Sequence, residues 1–173
     1  MSDDHDFNPL ADAVDPPRPG RPMRETRVRM TEIVMPNDTN PHGNISGGRV
    51  MHLIDIAGAV AAMRHARRPV VTVSFDDVVF LAPVPLGHIL LLDSQVTCVG
   101  RTSIEAKVVV RGENPLTGER RHTTTAYVTF VGLDDAGRPA QVPELLAETD
   151  DERATLERAH ERREARLARY HRD

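Results

Sequence analysis

Residues with chemical potential gather in the stretch NPHGNISGGRVMHLIDIAG, residues 40–58. Asn44 carries an amide that can orient a water or cap a helix. Gly47 and Gly48 have no side chains, so a carbonyl oxygen can approach their backbone N–H groups. Asp55 is a carboxylate, a group that can act as a general base. It stands in a run where, from Val50 to Met63, the only other polar residue is His52. Burying a carboxylate is expensive unless it is paired or hydrogen-bonded, so its presence needs a reason. Plainer readings exist: an ordinary N-cap for Asn44, a tight turn for the glycines, and a partly wet stripe or an arginine partner for Asp55.

These residues must be held by the elements around them. Val50, Ile54, Ala57 and Ala61 recur at helical spacing, which predicts a helix from Gly47 to about His65. Cations in RHARRP and then Pro69 should end it. A helix this apolar must be covered on most sides. Strands are predicted over 27–35, 70–81, 88–99, 103–112 and 120–133, from β-branched runs and alternation. The last four are joined by short turns, which implies antiparallel pairing. One sheet around one buried helix follows as an α+β architecture, with the remaining face and edge most simply covered by a second copy. Residues 1–24, Pro-rich and without period, read as a disordered tail; 25–138 form the domain. Residues 139–173 form a charged extension, whose stretch 148–172 reads as a solvated helix or frayed tail.

Composition narrows the partners. The net charge is -4, which gives no reason to expect nucleic acid. No apolar run is long enough to span a membrane. The opening MSDDHDFNPLADAV lacks an apolar core and is not expected to be a signal peptide. A single cysteine, Cys98, cannot form an internal disulfide, and a cytoplasmic location is expected. His42, His52 and His65 have no metal-ligand spacing, so no metal site is expected.

Three segments together, NDTNPHGNISGGRVMHLIDIAGAVAAMRHA, VVTVSFDDVVFLAPVPLGHIL and GRTSIEAKVVV, closely resemble acyl-CoA thioesterases of the hot-dog fold. The similarity is to the acyl-CoA hydrolase subfamily that includes tandem-domain cytosolic enzymes of animals and single-domain bacterial relatives. The resemblance implies an antiparallel sheet wrapped around one central helix, with a charged C-terminal helix after it. It implies hydrolysis of acyl-CoA to a free fatty acid and CoA, with no cofactor beyond the CoA of the substrate. It implies a homo-oligomer, a dimer or a trimer of dimers. It casts Asp55 as general base or nucleophile and Asn44 as the residue that orients water or substrate. His42, Gly43, Gly47 and Gly48 would meet the thioester. Ser74 would face the pantetheine arm, and Arg101, Thr102 and Ser103 the nucleotide phosphates.

Asn44 and Asp55 are eleven residues apart. On one continuous helix that is about 16 Å, too far for both to serve one carbon. Either one of them is irrelevant, or each site draws Asn44 from one subunit and Asp55 from another; the resemblance to hot-dog dimers, whose helices share a two-fold axis, implies the second. Two rival readings stand beside this one: a hot-dog dehydratase of hydroxyacyl thioesters, using His42 with an acid, and a non-catalytic acyl-CoA-binding module. Acyl chain length is not readable from the sequence.

Overall fold

The computed structural model describes residues 18–76 and 78–170. In chain order it places β1 (Arg21–Pro22), β2 (Val28–Ile33), α1 (Gly47–Ala66), β3 (Val70–Phe75), β4 (Ile89–Val99), β5 (Ser103–Glu113), β6 (Arg120–Gly132), β7 (Leu145–Leu146) and α2 (Asp150–Tyr170). Five strands form one antiparallel sheet in the order β2-β4-β5-β6-β3, and α1 lies across one face of it. This is the sheet around a helix that the sequence implies.

Alternation in the strands builds the core. Leu90, Leu92 and Val96 on β4, Ile104, Ala106, Val108 and Val110 on β5, and Thr124, Ala126, Val128 and Phe130 on β6 are all fully buried. They meet Val50, Leu53, Ile54, Ala57, Ala61 and Ala62 of α1. Gly58 lets the helix sit close: a Cβ there would lie 2.9 Å from the ring of Phe130. The helix starts at Ser46, whose Oγ accepts a 3.3 Å hydrogen bond from the Arg49 N–H. It ends at Arg67, in the left-handed conformation with φ 52. Pro69 follows, where the helix was expected to stop.

Three expectations are corrected. The strand expected over 70–81 ends at Phe75, and among the described residues after it the chain does not resume a strand before Ile89. The tail expected over 1–24 is not free at its end. β1 pairs in parallel with β7, in register Arg21↔Leu145, and Met23 is only 1% exposed. Its first 17 residues lie outside the described ones. Finally, α2 is no solvated helix: Ala159 is fully buried and Arg166 only 7% exposed, because α2 packs on the face of the sheet opposite α1. That face was expected to await a second copy.

Candidate active site

Asp55 lies on the half-buried flank of α1, beside core residue Ile54 rather than among the core residues. Its Oδ1 accepts a 2.6 Å hydrogen bond from the hydroxyl of Thr72 on β3. A bond this short to a carboxylate is charge-assisted and fixes its orientation. Oδ2 has no partner among the described residues. A carboxylate sealed into the core is therefore corrected to one at the seam between α1 and the edge strand β3. The sequence did not single out Thr72. Its signal was slight, a lone hydroxyl in VVTV.

The start of α1 forms a second group. Ser46, not Asn44, caps the helix, and the Val50 N–H bonds to the Ser46 carbonyl. This leaves the N–H groups of Gly47 and Gly48 without acceptors among the described residues, on an exposed first turn. The preceding loop is closed by Asn40. Its N–H donates to the Asn44 carbonyl at 2.8 Å, and its Oδ1 accepts from the N–H groups of His42 and Asn44. Asn40, Asn44, Gly47 and Phe80 are among the lining of a cleft of about 290 Å³. Gly47 has to be small: a Cβ there would stand 3.3 Å from the Phe80 ring. His42 and Gly43 are exposed on the loop outside this lining, and Gly48 adjoins it. Asn40 was missed because it belongs to no periodic pattern, and Phe80 because it read as part of the strand expected over 70–81.

Asp55 is not part of the cleft. Eight residues of helix separate it from Gly47, about 12 Å. The structure thus places carboxylate and helix start at different points of one chain, as the helix arithmetic requires. Ser74 lies beyond a bulge that falls between Thr72 and Ser74, with its Oγ buried and unpartnered among the described residues. Arg101, Thr102 and Ser103 join β4 to β5 beside the start of β3, where the Gly132 N–H donates to the Thr102 carbonyl. This turn is at the far end of the twenty-residue α1 from Gly47, roughly 30 Å away. Arg101 is exposed, Ser103 half-buried and Thr102 only 5% exposed. Arg101 and Ser103 thus present polar groups at the surface of this turn, and the Thr102 side chain is buried in it. α2 brings Arg163 to the same turn, where a Cβ on Gly100 would lie 2.8 Å from its guanidinium. Among the described residues no three His, Cys, Asp or Glu side chains gather as a metal set.

Comparison with known proteins places the chain in a family. The family model of the Thioesterase superfamily matches residues 42–119. An uncharacterized acyl-CoA thioester hydrolase of Bacillus subtilis, YkhA, is 41% identical over 144 residues, which is 81% of this chain and 84% of that protein. The solved acyl-CoA hydrolase of Staphylococcus aureus, in complex with butyryl coenzyme A, coenzyme A and coenzyme A disulfide, superposes with a TM-score of 0.81 at 38% identity, covering 88% of this chain and 93% of its own. Further structures of that enzyme carry alanine in place of an aspartate, an asparagine fifteen positions before it, and a threonine seventeen positions after it. A hexameric apo acyl-CoA thioesterase superposes with a TM-score of 0.84 at 40% identity, over 88% of this chain and 98% of its own. The chain belongs to the thioesterase superfamily, with its hot-dog fold, and within it to the acyl-CoA thioester hydrolases.

Proposed function

We propose that this protein hydrolyses fatty acyl-CoA to a fatty acid and CoA, at sites shared between two copies of the chain. The observation that carries the reading is the Asp55–Thr72 pair, a carboxylate fixed by one oxygen with the other unpartnered among the described residues. Asp55 acts as the general base: it takes a proton from water, and the water oxygen attacks the thioester carbonyl. The N–H groups of Gly47 and Gly48, from the second copy, receive the oxyanion at the positive end of α1. The C–S bond then breaks, and the thiolate of CoA leaves and takes up a proton. Nothing in these steps needs a metal or a redox cofactor.

Two further observations support the division between copies. The spacings of fifteen and seventeen that separate the substituted residues of the Staphylococcus aureus enzyme recur here in Asn40, Asp55 and Thr72. They favour Asn40 as the amide that shapes the carbonyl site, with Asn44 held against it in the same loop. The flank of α1 that carries Asp55 also leaves Ile56 36% and Met63 43% exposed, beside Val73 of β3 at 38%. A second copy laid on this flank would cover them, and relatives of known structure are hexameric. A dehydratase needs a histidine working with an acid, and the partner of Asp55 among the described residues is Thr72, not His42 or His52. No helix among the described residues is long and apolar enough to cross a membrane, and a cytoplasmic enzyme working on soluble acyl-CoA fits the reading.

The test is release of free thiol from a panel of short, medium and long acyl-CoAs, with chelator present. Release from at least one is expected. Failure on all of them, with tight binding retained, would replace hydrolysis by binding alone.

A further inference from the structure

We propose that α2 is a positioning element of the thioesterase site and that it acts through Arg166. The inference rests on the roles given above to Asp55 and Thr72, and it goes beyond them by assigning work to the charged extension.

Glu105 sits in the middle of the sheet, on the face opposite α1, and is only 2% exposed. Three groups hold it. The Thr97 hydroxyl donates to Oε1 at 2.7 Å, Arg162 donates to Oε1 at 2.8 Å, and Arg166 donates to Oε2 at 3.1 Å. Thr97 is the extra residue of a bulge in β4, between Val96 and Cys98. Arg162 also lies over the ring of Tyr127 on β6, 3.8 Å from its centroid. Arg166 reaches further: the same Nη1 donates to Oδ2 of Asp76 at 2.9 Å. Asp76 directly follows β3, and its N–H donates to the Tyr127 carbonyl at 3.0 Å. One buried guanidinium therefore ties the centre of the sheet to the end of its edge strand.

That strand is the one that needs tying. β3 has a neighbour in the sheet on one side only, β6. Its pairing slips between Thr72 and Ser74, so regular register does not carry across from Asp76 to Thr72. Thr72 is the residue that orients Asp55. Beyond the slip β3 pairs again with β6 at Ser74 and Phe75, and Arg166 adds a side-chain anchor that holds this far end to the centre of the sheet. Buried ion networks contribute little net stability compared with apolar packing, and in some proteins they serve instead to specify geometry. The chain from α2 to the carboxylate then reads Arg166, Asp76, β3, Thr72, Asp55.

The experiment uses the full chain with Arg166→Gln, Arg166→Lys and Asp76→Asn, each checked for folding by circular dichroism and melting. Turnover of an acyl-CoA that the wild type hydrolyses should fall about tenfold in kcat for Arg166→Gln and Asp76→Asn, with KM changed less than about twofold. Arg166→Lys should recover part of the loss. In a Thr72→Ala background, Arg166→Gln should lower kcat by less than about twofold, since the residue it acts through is gone. Hydrogen exchange over residues 70–76 should quicken while β4 and β5 are unchanged. If Arg166→Gln does not fold, Asp76→Asn carries the same comparison. A folded variant with wild-type kcat, or a loss undiminished by Thr72→Ala, overturns the proposal. A wild type without turnover on any acyl-CoA overturns instead the reading on which it rests. The two are told apart because exchange is measured without substrate.

Discussion

At the scale of the residue, the proposed mechanism depends on the Asp55 carboxylate and on what aims it. Asp55→Asn keeps the shape and removes the base, so kcat should fall by about 100-fold or more in a folded protein. Thr72→Ala removes one hydrogen bond to a charged group, an interaction of about 1.5–3 kcal/mol. Measured by thiol release, its kcat should fall by about tenfold or more. A Thr72→Ser variant keeps the hydroxyl and should stay close to wild type. Asp55 was legible in the sequence because a lone acid in an apolar helix has few explanations. Thr72 was not, because its partner is seventeen residues away on another element and a hydroxyl among Val residues is ordinary strand chemistry. Asn40 was not singled out beside Asn44 for a similar reason. Both sit in one loop, and only the hydrogen bonds show that the Asn40 side chain closes the turn.

At the scale of the element, the central helix holds an ionisable group in a place where it cannot readily charge. His65 is fully buried, with one ring nitrogen 2.8 Å from the Pro143 carbonyl and the other, Nδ1, without a partner among the described residues. Burial pushes its pKa below the ordinary histidine value; the bond to Pro143 opposes this, and the charge of Arg21 adds to it. The unfolded chain therefore takes up a proton as pH falls through about 6.5, while the folded chain does not. Stability should be full above that pH and should fall below it, by at most about 1.4 kcal/mol per pH unit from this one group. Melting temperatures from pH 7.5 to 5.5 should drop less for His65→Gln than for the wild type. Among the elements, α1 and the three long strands were legible, since each repeats its period over ten residues or more. The end of β3 was not, because VVFL continues the apolar run after the strand has ended. The docking of α2 was not either, because its anchor Glu105 is some sixty residues distant and reads in isolation as a surface charge.

At the scale of the whole molecule, the proposed mechanism takes its two halves from points about 12 Å apart along α1 of one chain. This predicts complementation. Asn40→Ala and Asp55→Ala, each nearly inactive, are mixed by co-expression. In a mixed pair one site carries both lesions and the other carries none. Random pairing makes about half the pairs mixed, so activity should recover towards about a quarter of wild type. Mixed assemblies without any recovery would place both residues in the same site and defeat the shared arrangement.

The short parallel pairing of β1 with β7 has a consequence in time. Arg21 and Pro22 pair with Leu145 and Leu146, more than 120 residues later in the chain. During synthesis Met23 therefore has no finished place to go until nearly the whole domain has been made. Joining segments so distant is slow because the intervening loop must close first. The segment around Met23 should be the last to settle in each folding event and the first site a protease finds on a nascent or partly opened chain. Its protection would then report that the molecule is complete.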